Sequence, residues 1–270
     1  MVRKVSTTTL TVSMAVGLAL TATGRAEDSP DVQTIVTKAN QAAYYQGDDG
    51  KATVKMTIRD KQGNERTREF NILRKDVEDG GDQNYFVYFQ RPADVRRMVY
   101  MVHKHAAVGE DDDRWLYLPA LDLIKRIAAS DKRTSFVGSD FVYEDVSGRS
   151  LELDEHELIE TTEERFVVKN TPKKPDQVEF SHYNVSIDRK TYMPMKMEYF
   201  DKDSGKLYRI IESEKVEEIE GFPTVTKSVV SDLKTGGKTE MQFTDVEYNI
   251  GIGDIFQERY LRRPPREAMR

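Results

Sequence analysis

The stretch that decides the fold is 91–146. It opens with Arg91-Pro92-Ala93-Asp94-Val95-Arg96-Arg97-Met98. It continues through Asp113-Arg114-Trp115-Leu116-Tyr117-Leu118-Pro119-Ala120 and Leu123-Ile124-Lys125-Arg126-Ile127. It closes with Phe136-Val137-Gly138-Ser139-Asp140-Phe141-Val142-Tyr143-Glu144-Asp145-Val146. The single tryptophan of the chain lies here, among short apolar runs separated by basic and acidic turns. Short runs rich in β-branched and aromatic residues, bounded by turn residues, read as strands. Nothing in the stretch has the layout of an active site. It reads as a shaped apolar surface with charged edges.

Working outward, the period stays at two. Ala52, Val54, Met56 and Ile58 alternate with Thr53, Lys55, Thr57 and Arg59, a half-buried strand. Lys61-Gln62-Gly63-Asn64 is a hairpin turn and 67–74 the returning strand. Residues 85–89, 99–103 and 114–118 are apolar on both faces, so they are expected to be covered on both sides or to line a cavity. Further strands fit 151–158, 166–170, 178–187, 193–200, 206–216, 224–232 and 239–249. About eleven antiparallel strands are too many for a comfortable flat sheet and should curl or close. Ahead of them, Ser29-Pro30-Asp31 predicts a helix start with a capping hydroxyl and an early proline. Val32, Ile35, Val36, Ala39 and Ala43 then recur at helical spacing, and Gly47-Asp48-Asp49-Gly50 ends the helix. Residues 254–270 read as a short helical turn and a basic tail with Pro264-Pro265.

Residues 1–26 have the layout of a cleavable export signal. Arg3 and Lys4 precede an apolar run over 10–22, and Gly24-Arg25-Ala26 is a small-x-small cleavage site. The expected organisation is a signal peptide over 1–26 and one domain over 27–270. Net charge is −6, and loss of Arg3, Lys4 and Arg25 leaves the remainder more acidic still. An acidic exported chain is a poor general nucleic-acid binder. With no cysteine, disulfides, thiol catalysis, thiolate metal sites and a lipid-anchor cysteine are all excluded.

Motifs that carry chemistry are few. There is no Gly-x-Ser-x-Gly elbow and no phosphate-cradling glycine loop. His103 and His105 share a strand face ahead of Glu110-Asp111-Asp112-Asp113, but a metal site needs further defined ligands. Exposed histidines beside a solvated acidic loop are the simpler account. No catalytic residue, metal or cofactor is assigned. Methionine placement says more. Met193, Met195, Met197 and Tyr199 share one strand face opposite Lys196 and Glu198; Met98, Tyr100 and Val102 share another; so do Trp115 and Tyr117. Each stripe alone fits a plain core as well as a cavity. Three together favour an adaptable cavity, because methionine fills irregular apolar space.

The residues from Phe89 through Arg91-Pro92-Ala93-Asp94, with DDRWLYLPAL at 112–121 and the FVGSDFVYEDV segment at 136–146, resemble the outer-membrane lipoprotein-sorting-protein family. That family is related to the periplasmic carrier LolA. The resemblance continues through TPKKPD (171–176), DRKTYMPMKMEYFD (188–201) and GFPTVTKSVVSD (221–232), and spans about 50–256. It implies a mainly β, LolA/LolB-like antiparallel half-barrel with helices and the 132–146 loop covering a concave face that holds acyl chains. The expected lining is Tyr85, Val87, Phe89, Met98, Tyr100, Val102, Trp115, Tyr117, Phe136, Phe141, Met193, Met195, Met197 and Tyr199. Arg91, Arg96, Arg97, Lys125, Arg126, Lys132 and Arg133 form an expected basic docking rim. The implied role is a monomeric periplasmic carrier of lipid or lipoprotein acyl chains between envelope membranes. A transporter of the resistance-nodulation-division class is the implied partner. A periplasmic sensor on the same fold is the alternative, and a hydrolase comes third. LolA holds its lid with an arginine in the cavity; Arg59, Arg68 and Arg74 are candidates here by strand position. A chain of about sixteen carbons carries about 12 kcal/mol of burial energy at roughly 0.8 kcal/mol per methylene, which favours a carrier over free diffusion through water. N-terminal sequencing of exported material is expected to begin near Glu27; a product still starting at Met1 contradicts the signal-peptide assignment.

Overall fold

Alternation in the sequence becomes thirteen antiparallel strands of one sheet in a computed structural model of the chain. The structure describes Met1 and residues 30–107 and 109–269. The chain divides into two units, Met1–Pro30 and Asp31–Arg270, and the second holds every strand of the sheet. The assigned signal peptide lies outside the described residues. No helix among the described residues is long and apolar enough to cross a membrane.

Helix α1 (Val32–Tyr44) starts two residues later than its sequence suggests. Asp31, not Ser29, is the cap: its carboxylate accepts from the Thr34 amide at 2.9 Å. Ser29 itself lies outside the described residues. Ile35, Val36 and Ala39 form the buried face of α1, as their spacing requires. The strands are β1 (Asp49–Arg59), β2 (Glu65–Asp76), β3 (Gln83–Arg91), β4 (Val99–Lys104), β5 (Asp113–Leu118), β6 (Leu123–Arg126), β7 (Asp154–Thr161), β8 (Arg165–Pro172), β9 (Phe180–Asp188), β10 (Pro194–Asp201), β11 (Leu207–Ile219), β12 (Phe222–Asp232) and β13 (Gly237–Tyr248). The count exceeds the expected eleven. Four-residue β6 is too short to show a period, and β7 starts only at Asp154, after a turn of 3-10 helix over Leu151–Leu153.

The strand order is β6-β5-β4-β3-β2-β1-β13-β12-β11-β10-β9-β8-β7. The chain therefore starts mid-sheet, walks out to one edge, crosses to the other edge, and walks back until β13 pairs with β1. This is an open half-barrel with β6 and β7 as free edges. The crossing segment, 127–153, contains the short helix α2 (Tyr143–Ser147). Its residues Phe136, Phe141 and Tyr143 pack on the inner face with Val54, Met56, Phe89, Tyr100, Val230 and Met241. The ring centres of Phe136 lie 5.5 Å from Tyr100, 5.6 Å from Tyr143 and 5.9 Å from Phe89, spacings at which aromatic edges and faces attract. Helix α1 covers the neighbouring part of the inner face, packing on Phe166, Val168, Phe180, Val185 and Ile187.

Helices α3 (Arg259–Arg262) and α4 (Arg266–Met269) sit on the outer face. There Ile252, Ile255, Phe256, Leu261 and Ala268 bury Leu73, Phe86, Val99, Met101, Trp115 and Tyr117. That second cover explains why β3, β4 and β5 are apolar on both faces. Helices thus cover both faces of the sheet, not the concave one alone.

Antiparallel pairing sorts the connections to two ends. The turns at 60–64, 92–98, 119–122 and 233–236 share one, here the turn end. The connections at 45–48, 77–82 and 105–112 share the other, the helix end, where α1 finishes.

Candidate functional site

Between α1, the crossing segment and the inner face of the sheet lies a cavity of about 400 Å³, within the range of roughly 300–1,000 Å³ usual for small-molecule sites. Its lining comes from the helix-end half of the strands. On β1 it takes Gly50, Lys51 and Ala52, whereas Val54, Met56 and Ile58 further along belong to the filled core. On β3 it takes Tyr85 and Val87 but not Phe89. The aromatic side chains of the crossing segment fill the turn-end half and leave the other half empty.

Of the residues expected to line it, Tyr85, Val87, Phe136, Phe141, Met193, Met197 and Tyr199 do so. Phe89, Tyr100 and Val102 are buried in the adjoining core, and Met98 packs against that core. Trp115 and Tyr117 require correction: they face outward under the C-terminal segment, and Leu116 is the β5 residue on the inner side. Met195 is also displaced. Between Pro194 and Lys196 the pairing with β9 slips by one, so Met195 is the extra residue of a β-bulge, and Pro194 lines the cavity in its place. Lys196 and Glu198 pair with each other at 2.9 Å on the opposite face. Missed by the sequence reading were Ala39, Ala43 and Tyr44 of α1, Val185 and Ile187 of β9, and Ile211 and Phe243. The Tyr183, Val185, Ile187 stripe, alternating with Asn184 and Ser186, was a usable signal.

The expected basic rim does not surround the cavity. Arg91, Arg96 and Arg97 are exposed at the turn end, because β3 runs away from the cavity half before it turns. Lys125 and Arg126 are exposed on the edge strand β6, with Arg126 paired to Asp113. Lys132 and Arg133 are not rim residues: they enter an ion network beside the cavity. Arg133 donates to both Glu179 oxygens at 2.9 and 3.0 Å and to Glu144 at 2.7 Å. Arg149 donates to Asp154 at 2.8 and 2.9 Å and to Glu144 at 3.4 Å, and Lys132 lies 3.7 Å from Glu144. Burial alone would raise the Glu144 carboxyl, but Arg133, Arg149 and Lys132 outweigh it and hold the group below the usual carboxylate range. Asp145 is held by Arg209 of β11. The Glu144 contacts brace the crossing segment internally, whereas Arg133–Glu179, Arg149–Asp154 and Asp145–Arg209 fasten it to the β7–β11 half, and removing one partner of a buried pair costs about 3–5 kcal/mol.

Among the arginines considered for the lid, Arg74 is the one in the cavity wall. Its guanidinium donates to the carbonyls of Tyr44 (3.0 Å), Gln46 (2.5 Å) and Gly47 (2.7 Å) and to Asp76 (2.6 Å). It satisfies the last carbonyl of α1 and two carbonyls just beyond the helix, and places positive charge where the helix dipole favours it. Arg59 pairs with Glu65 at the surface and Arg68 with Asp94. Gly148 ends α2 at φ +78°, and a Cβ there would lie 2.6 Å from the Tyr44 ring, so only glycine lets the two helices approach this closely.

Histidine placement disperses the pair noted in the sequence. A ring nitrogen of His103 lies 2.7 Å from the Phe256 carbonyl, and His105 lies 3.2 Å from Asp82. Among the described residues no group of histidines and acids is placed to hold a metal ion.

A family model described as "Uncharacterized protein" matches residues 81–263. The chain belongs to that family. Its structure is similar to a DUF1329 family protein from Desulfovibrio piger (28% identity, 85% of this chain and 98% of the other, TM-score 0.77). It is similar to a Vibrio parahaemolyticus domain classed with outer membrane lipoprotein-sorting proteins (27% identity, 85% and 97%, TM-score 0.76). A LolA superfamily protein from Nitrosomonas europaea shares the fold at 18% identity (86% and 100%, TM-score 0.64). No curated protein matches the sequence. The fold is therefore LolA-like.

Lys104 of β4 is buried, and among the described residues no carboxylate lies in salt-bridge range of it. Its ammonium donates to the Ser147 carbonyl at 2.7 Å and lies 5.0 Å from the centre of the Tyr44 ring. Burial pushes its pKa down to about 8, against a smaller upward pull from Asp112. The unfolded chain then holds this proton more tightly than the folded one from about pH 8 to the ordinary lysine value near 10.4, so the group's contribution to stability rises with pH across that window. Buried tyrosines such as Tyr44, with pKa values raised by burial, begin to oppose it above about pH 10. Chemical denaturation at about pH 7 and pH 9.5 should show wild type gaining on the order of 2 kcal/mol relative to Lys104→Met. Equal pH dependence in the two proteins would contradict a buried ammonium.

Proposed function

We propose that the chain is an exported carrier that holds the acyl chains of a lipid or lipidated ligand in the cavity beneath α1 and moves them between envelope membranes. The observation that carries this reading is the character of the cavity wall. It is mostly apolar, and four of its five charged groups have partners: Glu144 with three cations, Asp145 with Arg209, Arg149 with Asp154, and Arg74 with Asp76, while Lys51 of β1 is the exception among the described residues. A wall whose charge is mostly neutralised from within favours an apolar occupant over an ionic one. Met193, Met197 and Tyr199 on one side let it adapt to chains of different length. The similarity to a lipoprotein-sorting domain points the same way. Export through residues 1–26 places the carrier in the periplasm, where a membrane exporter of the resistance-nodulation-division class is the partner that the family resemblance implies.

Native mass spectrometry of protein purified without detergent tests this. Wild type is expected to carry copurifying lipid. Met197→Asp, which puts a carboxylate on the lining, should lose most of it, on the order of tenfold. Lys196→Asp on the opposite face should keep it. Equal loss from both, or no lipid in wild type, would return the cavity to a plain packing defect.

A further inference from the structure

The turn end carries a surface that the cavity does not use. Between β5 and β6 the chain makes a tight turn in which Asp122 adopts φ 44°. The turn leaves Leu121 71% exposed and Leu123 46% exposed. These two leucines do not stand on a loose loop. Arg262 of α3 donates to the Asp122 carboxylate at 2.9 Å and to its carbonyl at 3.2 Å, and the Tyr117 hydroxyl donates to the same carboxylate at 3.2 Å. A braced turn thus holds two large apolar side chains out in water.

Cations gather around this tip. Lys125 and Arg126 follow it on β6, Arg263 ends α3 beside it, and Arg96 and Arg97 lie in the β3–β4 turn at the same end of the sheet. All five are exposed. The nearby acids are already committed: Asp94 to Arg68, Asp113 to Arg126 and Asp122 to Arg262. Among the described residues Arg96, Arg97, Lys125 and Arg263 form no ion pair. The helix end has the opposite character, with Glu78, Asp79 and Asp82 in one connection and Glu110, Asp111 and Asp112 in another. On a chain of net charge −6, four cations without an ion pair thus stand at the same end of the sheet as exposed Leu121 and Leu123.

We propose that the turn end docks on an anionic phospholipid bilayer. Leu121 and Leu123 enter the boundary between headgroups and acyl chains, while Arg96, Arg97, Lys125 and Arg263 meet lipid phosphates. Apolar side chains flanked by long cationic ones suit this boundary, because the stems lie along the apolar layer while the charges stay among the headgroups. An acidic protein surface would satisfy the cations but gives no reason for leucines held out on a braced turn. The acidic helix end is repelled by the same bilayer, so docking orients the sheet with its cavity half directed away from the membrane. The proposal does not depend on what the cavity holds.

Co-sedimentation with vesicles tests it. At low salt the protein should bind vesicles of phosphatidylglycerol and phosphatidylethanolamine and not vesicles of phosphatidylcholine alone. Leu121→Ser with Leu123→Ser should lower the bound fraction about tenfold. Arg96→Glu with Arg97→Glu should lower it by at least a similar factor, and raised salt should weaken binding in the wild type. All four positions are exposed, so thermal melting should be unchanged, and the shared N-terminus cancels in the comparison. No binding to anionic vesicles overturns the proposal. So does equal binding to both vesicle types, or anionic binding that neither double variant reduces. Full retention of copurifying lipid by both variants would show that docking and loading are separate.

Discussion

The pairing of β1 with β13 constrains everything else in this structure. It joins the first and last strands in mid-sheet, so each half of the chain must grow outward to a different edge. Antiparallel neighbours can follow each other through short turns, but the step from β6 to β7 cannot. Residues 127–153 have to cross the inner face, and in crossing they bring Phe136, Phe141 and Tyr143 into it. The crossing segment is therefore core and cavity wall at once. The cavity is the part of the inner face that neither this segment nor α1 fills.

That arrangement sets the electrostatics. A segment lying across an apolar surface needs more than hydrophobic contact to hold one position, and here it is fixed by ion pairs at both sides of α2. Glu144 ties Arg133, Arg149 and Lys132 together within the segment, while Arg133 reaches Glu179, Arg149 reaches Asp154 and Asp145 takes Arg209 from β11. Buried pairs of this kind contribute less to net stability than their Coulomb energy suggests, because both partners lose water. What they do here is register the lid against the sheet and neutralise most of the charge in the cavity wall. Arg74 performs the matching task for α1, joining its last carbonyl and the turn that follows it to β2.

Strand positions were legible in the sequence because alternation and turn residues are local signals. Which face of a strand looks into the cavity was not always legible. On β5 both faces are apolar, since the C-terminal segment covers the outer one; period two cannot then say whether Trp115 or Leu116 points inward. On β10 the alternation of Met193, Met195 and Met197 is broken by a bulge, which depends on the register with β9 and not on β10 itself. The basic residues misled for a third reason. Lys125 and Arg126 are near Lys132 and Arg133 in the chain, but the first pair lies on a free edge and the second in the ion network of the lid itself. Only the fold shows that an apparent rim splits into an exposed patch and a buried network.

The central claim is that the space beneath α1 is occupied by an acyl chain. Photolabelling tests it most directly, using a phospholipid that carries a photoreactive group near the end of its acyl chain, followed by mapping of the labelled residues. The account predicts labels on the lining at Val185, Ile211, Met197 and Phe243, lost on competition with unlabelled lipid. Labels confined to exposed residues such as Leu121 and Leu123, with none on the lining, would contradict it.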